Sequence, residues 1–165
     1  MQDVRKLLLF FFISIQLCSC AQSKNGIKKA YATYTIRIPG NIPVDRNGNE
    51  IPLRDTVWMI YVETTSQEIS WSKAWMDGRT YSVIPTLIDS DHVEAGTLQR
   101  NNEKMRIRTS GTGRLWRLQL ISAEKPEPVP VRVGRGEMLI SGKYKNRKIL
   151  QRIKSITELV ALPVP

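Results

Sequence analysis

The chain has 165 residues, which is enough for one domain with a substantial core and too few for two ordinary domains. Its formal net charge is +10, and it contains only two cysteines. So few cysteines exclude a small fold held together by several disulfide bonds, and stability must come from packing.

The N-terminal segment has the anatomy of an export signal. A charged start that contains Arg5 and Lys6 precedes an apolar run over residues 7–17. Eleven residues in a helix reach about 16 Å, which is well short of the roughly 30 Å hydrocarbon core of a bilayer. Residues 1–19 are therefore predicted to be a signal peptide and not a membrane span.

The apolar run ends in Leu17-Cys18-Ser19-Cys20. This motif resembles the lipobox of bacterial lipoproteins, in which a branched apolar residue and two small residues precede the lipidated cysteine. The resemblance implies that Cys20 carries lipid, begins the mature protein and is its only cysteine. The alternative is an ordinary secretory signal with two incidental cysteines.

The mature chain is similar to small envelope lipoproteins of Gram-negative bacteria. Ala21, rather than an aspartate, follows the cysteine. By similarity to the sorting rules of some Gram-negative bacteria, this residue implies an outer-membrane location that faces the periplasm. Residues 20–29 are polar and without period, so they are predicted to be the lipidated cysteine and a flexible tether.

A single β domain is predicted over residues 30–165. Tyr34, Ile36 and Ile38 alternate with polar residues, which predicts a half-buried strand that ends at Pro39-Gly40. The next stretch resembles the opening of carboxypeptidase-regulatory and transthyretin-like β-sandwich modules. The resemblance is carried by Gly40-Asn41-Ile42, Asp45, Gly48 and Leu53.

Asp45 to Glu50 also offers oxygen ligands at the close spacing of calcium loops. The segment lacks the distal glutamate of such loops, and Asn47-Gly48 is a common pair in tight turns. A turn is the favoured interpretation.

The remaining pattern predicts strands and hairpins, and no stretch has the stripe of an amphipathic helix. Val57–Thr64 is a dense β-branched and aromatic run that is typical of a central strand. Pro126, Pro128 and Pro130 predict a linker or edge strand. Three hairpins are predicted: residues 67–75 with 79–84 across Asp77-Gly78, residues 104–109 with 114–121 across Ser110-Gly111-Thr112-Gly113, and residues 137–144 with 147–154 across Lys145-Asn146. The predicted fold is all-β, a single antiparallel β-sandwich, with a small β-barrel as the alternative.

Positive charge is concentrated in the C-terminal part. Residues 100–165 carry fifteen basic and five acidic side chains, whereas residues 21–99 carry eight and nine. Basic residues alternate with apolar ones along the predicted strands, so they share outward faces. In an exported lipoprotein this predicts contact with anionic lipid headgroups or envelope glycans rather than nucleic acid, or else a solvated face. The residues are Lys104, Arg106, Arg108, Lys143, Lys148, Arg152 and Lys154.

Two tryptophans form a second candidate site. Trp71 and Trp75, with Ile69 and Lys73, are predicted to share one strand face. Exposed indole rings there could stack on sugars or anchor a protein partner. The alternative is that both belong to the core.

The only histidine is His92, which has Asp89, Asp91 and Glu94 nearby. These groups could ligate a metal or act as acid and base, although such a cluster is more often a solvated loop. No glycine-rich phosphate loop continues into a helix, so no cofactor is predicted.

The sequence thus predicts a lipid-anchored envelope protein, not an enzyme, that acts as a binding or structural interaction module and has another envelope protein as a possible partner. The alternative is a carbohydrate-binding module or glycan hydrolase that uses Trp71, Trp75 and the carboxylates near His92.

Overall fold

The computed structural model describes residues 26–39, 44–49 and 55–164. The predicted signal peptide, Cys20 and the first and last residues of the β-sandwich resemblance lie outside these ranges. Within the ranges, no helix has the length and apolar character needed to cross a bilayer.

All of the regular elements described are strands, which confirms the predicted all-β class. The ten strands are β1 (Ile27–Pro39), β2 (Asp55–Thr64), β3 (Ile69–Met76), β4 (Arg79–Ile88), β5 (His92–Thr97), β6 (Lys104–Arg108), β7 (Arg114–Ser122), β8 (Met138–Tyr144), β9 (Arg147–Ile153) and β10 (Ile156–Val164).

Eight strands form the main sheet in the order β10-β1-β2-β7-β4-β3-β8-β9, and β5 pairs with β6 in a separate hairpin. Neighbours in the main sheet are antiparallel except β1 and β10, which are parallel. The two edge strands, β9 and β10, follow one another in the chain. Because three residue steps separate Ile153 from Ile156, these edges are at most about 11 Å apart there. The sheet therefore curls back on itself, which agrees with the predicted β-sandwich and equally with its alternative, a small barrel; for brevity we call the curled sheet the barrel.

The core lies inside the barrel. Apolar side chains on alternate positions of the strands meet there, as the period of two predicts. Ile60, Leu118 and Met138 have no exposed surface. Trp71 packs edge-on against Trp116, with ring centroids 6.4 Å apart. The apolar residues that alternate with the basic ones in the last hairpin point inward, since Met138, Ile140, Ile149 and Ile153 all belong to this core.

Two predicted turns are confirmed with the backbone that a two-residue hairpin needs. Asp77-Gly78 has φ of 47° and 75°, and Lys145-Asn146 has φ of 47° and 61°. Positive φ at both central residues matches the right-handed twist of the paired strands.

The predicted hairpin of residues 104–109 with 114–121 is wrong. β6 pairs with β5, while β7 pairs with β2 on one edge and β4 on the other. Since both edges of β7 are occupied, β6 has no place beside it. The β5–β6 hairpin instead packs on the outside of the barrel, where Ile107 meets Tyr61 and Leu115.

Several strand limits also differ from the prediction. β1 begins at Ile27, three residues before Ala30, and the Ile27 side chain is buried in the core. β4 continues to Ile88 through Pro85, while β5 and β10 were not predicted as strands.

Candidate functional site

The two tryptophans do not share a face, and neither is exposed. A bulge between Trp71 and Lys73 shifts the register of β3 against β8, so the side-chain alternation changes there. Trp71 points into the core and is 8% exposed, while Trp75 is on the opposite face and is 4% exposed. The structure therefore contradicts the hypothesis that Trp71 and Trp75 stack on sugars, because neither ring is open to solvent.

The proline-rich segment explains the burial of Trp75. This segment, residues 123–137, contacts β4, β3 and β9 through hydrogen bonds and an ion pair. Thr80 Oγ1 accepts a hydrogen bond from Glu127 N at 2.9 Å, and Lys73 forms an ion pair with Glu127. Arg152 donates to the carbonyl oxygen of Arg132 at 2.6 Å. Lys73, Thr80 and Arg152 lie on the same face as Trp75 and surround it. The segment therefore serves as a cover for this part of the barrel.

Replacing Thr80 by valine is expected to loosen this cover. Removing the hydroxyl deletes the bonds to Glu127 and should lower the free energy of unfolding by about 1 kcal/mol. Trp75 should become more exposed, which steady-state fluorescence would detect as a red shift of tryptophan emission. Ser82→Ala, an exposed change on the same strand, is the matched control. Unchanged emission in Thr80→Val would show that the segment does not cover Trp75.

The carboxylates near His92 do not converge on a site with the tryptophans. His92 begins β5 on the outside of the barrel, and its Nδ1 lies 2.7 Å from Asp91 Oδ1. Hydrogen bonding to His92 lowers the pKa of Asp91. Among the described residues, no three His, Cys, Asp or Glu side chains are arranged to hold a metal ion. The cluster is exposed, as the plainer interpretation predicted, but only Asp89 and Asp91 lie in a loop, because His92 and Glu94 belong to β5.

The segment around Asn47-Gly48 forms the predicted turn. Asp45 Oδ1 accepts hydrogen bonds from Asn47 N and Asn49 N, both at 2.8 Å. These bonds lower the pKa of the Asp45 carboxyl, with the bond from Asn49 contributing most. The carboxylate is thus engaged by its own turn, as an aspartate at such a position usually is.

The basic residues predicted to face outward are all exposed, but they lie on two different units. Lys104, Arg106 and Arg108 project from β6 on the hairpin, where Glu94 holds Lys104 at 3.0 Å. The others lie on or directly after β8 and β9: Lys143, Lys148, Arg152 and Lys154. Arg152 is engaged by the covering segment, so the two units do not present seven equivalent free charges.

A different basic cluster surrounds the first described residues. A Cβ atom built on Gly26 would lie 3.5 Å from the ring of Tyr144, which directly precedes the β8–β9 turn. Thr65 N donates to the carbonyl oxygen of Gly26 at 2.8 Å. Six exposed basic side chains stand in or beside these segments, and we call them the basic collar: Lys28, Lys29, Lys143, Lys145, Arg147 and Lys148.

Four collar residues were not singled out from the sequence. Lys28 and Lys29 were assigned to the tether, and Lys145 and Arg147 belong to or border a turn. Alternating strand direction would have revealed them, because it places the β8–β9 turn at the same end of the barrel as the start of β1.

A buried carboxylate lies beneath the collar. Glu63 is 1% exposed, and its Oε1 accepts hydrogen bonds from Ser110 N at 2.7 Å and Ser110 Oγ at 2.6 Å. Lys28 Nζ lies 3.6 Å away. Burial acts to raise the pKa of Glu63, but the bonds from Ser110 and the charges of Lys28 and Lys29 outweigh burial and lower it. Glu63 therefore remains ionised and ties the loop before β7 to β2.

The opposite end of the barrel has an open cavity of about 420 Å³. Trp58, Tyr81 and Leu120 form the apolar part of its lining, and its charged lining residues are Arg37, Arg79 and Asp55. An aromatic wall beside guanidinium groups is suited to binding a partner with both apolar and acidic groups.

Comparison with known proteins gave no match to any family model, curated protein or solved structure. The comparisons thus supply no enzyme relative, and function must be inferred from the residues of the chain itself.

Proposed function

We propose that the chain is a lipid-anchored envelope protein whose β-barrel acts as a binding or structural interaction module. The observation that carries the proposal is the motif Leu17-Cys18-Ser19-Cys20, which stands six residues before Gly26. An acylated Cys20 would hold the barrel at a membrane surface. A single acyl chain holds a protein at a membrane only weakly and reversibly, whereas two or more chains on the same residue provide stable attachment.

The position after the cysteine supports an outer-membrane location that faces the periplasm, since Ala21 and not aspartate stands there. The cavity at the far end of the barrel supports the interaction role. It would face away from the anchored end and would remain available to another envelope protein. The burial of Trp71 and Trp75 counts against the sugar-binding or glycan-hydrolase alternative, which relied on these two rings.

Lipid attachment is tested by incorporation of labelled palmitate in the bacterial host. The unaltered chain should be labelled, and Cys20→Ser should not, because the thiol is the acceptor. Cys18→Ser is the matched control and should remain labelled, since serine also satisfies the need for a small residue before the acceptor. Label that persists in Cys20→Ser, or an unlabelled wild-type chain, would contradict the proposal.

A further inference from the structure

The basic collar marks the end of the barrel that is closest to the proposed anchor. Six residue steps from Cys20 to Gly26 span at most about 22 Å when fully extended, so collar and lipid are held close together. β1 runs away from this end for 13 residues, which is about 43 Å along the strand. The cavity lined by Arg37 lies at the far end of that strand.

The charge at the collar is unbalanced. Of the carboxylates near it, Glu63 is buried and bound to Ser110, and Glu68 precedes β3. Six basic side chains thus face two carboxylates, one of them hidden. At the same end of the barrel, near the end of β4, positive charge is offset. There Asp89 and Asp91 lie near Arg114, and Asp91 also interacts with Arg108.

We infer that the basic collar is a membrane-docking surface that binds anionic lipid headgroups and orients the barrel with its cavity away from the bilayer. The inference rests on the proposed lipid anchor, which brings the collar within reach of the surface. The collar acts on orientation, since the lipid already supplies attachment. Lysine and arginine side chains near an anionic membrane are attracted to it over a Debye length of about 8 Å at physiological salt.

The mature chain is well suited to a test of orientation. Because Cys20 would be blocked by lipid, one introduced cysteine can be labelled uniquely with a fluorophore. Ser70→Cys places the label on the outer face beside Lys143, and Ser82→Cys places it on β4 towards the far end. Both serines are exposed, so the two changes are matched.

The lipidated protein would be reconstituted in vesicles that carry a headgroup quencher, with phosphatidylcholine alone or with added phosphatidylglycerol. We expect stronger quenching at position 70 than at position 82 on anionic vesicles only, with the difference lost in high salt. Equal quenching at the two positions, or equal behaviour on neutral and anionic vesicles, would overturn the inference.

Charge variants identify the residues responsible. The collar variant changes Lys143, Lys145, Arg147 and Lys148 to glutamine and should lose the quenching difference. The control variant removes the same charge elsewhere and should keep it; it changes Arg100, Arg106, Lys125 and Arg135 to glutamine. For the chain without lipid, the collar variant should bind anionic vesicles about 1000-fold more weakly at low salt. Identical results for the two variants would mean that the collar is an ordinary solvated surface with no role in membrane binding.

Two further outcomes separate the possibilities. Intact mass of the same preparation reports the lipid: if it is absent while the chain still prefers anionic vesicles, the proposed anchor fails and the collar stands. If lipid is present and the label shows no orientation, the anchor stands and the collar fails. Soluble alginate, an anionic polysaccharide, tests for a glycan ligand. If the collar variant loses binding to alginate but keeps the difference in quenching between positions 70 and 82 on anionic vesicles, the collar binds a glycan and the membrane-docking inference is wrong.

Discussion

Replacing Leu118 by alanine is expected to lower the free energy of unfolding by about 2–5 kcal/mol. Leu118 has no exposed surface and lies on β7, where Ile60 and Pro85 are its partners on the two neighbouring strands. The strand is bonded on both edges, so the backbone has little freedom to collapse into the cavity that the change creates. The removed methyl groups and the remaining void both contribute to the loss.

Urea unfolding followed by circular dichroism would measure this loss. Ile121→Ala is the matched control, since Ile121 lies on the same strand but is 47% exposed. Its effect should be within about 0.5 kcal/mol of the unaltered protein. Similar losses from the two changes would mean that the inner and outer faces of β7 are assigned incorrectly.

Replacing Glu63 by alanine is expected to lower the free energy of unfolding by about 1–3 kcal/mol at neutral pH. The change removes both bonds that Ser110 donates and leaves the Ser110 amide without that partner. Lys28 also loses its ion pair, which adds little because that side chain is partly in solvent. Glu68→Ala is the matched control, because Glu68 is exposed.

The effect of Glu63 should depend on pH. Its folded pKa lies below its ordinary value of 4.5, so the unfolded chain takes up the proton first as the pH falls. The stabilisation is complete above about pH 5 and is lost as the pH falls through the folded pKa. The difference between wild type and Glu63→Ala should therefore shrink below pH 4. A difference that is constant across this range would show that folding does not lower the pKa of Glu63.

Local patterns predicted the faces of strands well. On β6, side chains alternate regardless of which strand lies beside it. Met105 and Ile107 therefore face the barrel, while the basic side chains face solvent: Lys104, Arg106 and Arg108. Turn chemistry was equally local, so Asp77-Gly78 and Lys145-Asn146 were located correctly.

Pairing over long distances could not be predicted in this way. β6 and β7 are neighbours in sequence, yet β7 is enclosed by β2 and β4, and no local pattern encodes that competition. The same limit applies to β10, which joins β1 from the far end of the chain. An expected face also fails where a bulge adds one residue, as it does between Trp71 and Lys73.

The basic collar shows both the success of local patterns and their limit. Lys143 and Lys148 were recognised by alternation, but Lys28 was not, because it belongs to a strand that begins earlier than expected. The start of this strand meets the end of β8 through Gly26 and Tyr144. Basic residues in turns have no alternation to reveal them. They become visible when the direction of each strand is counted along the chain.

The lipid anchor is tested most directly by the intact mass of the protein purified from host membranes. We predict the mass of residues 20–165 with diacylglycerol on the Cys20 sulfur, and a further acyl group on its amine. A chain that retains residues 1–19, or that begins elsewhere and carries no lipid, would contradict the account.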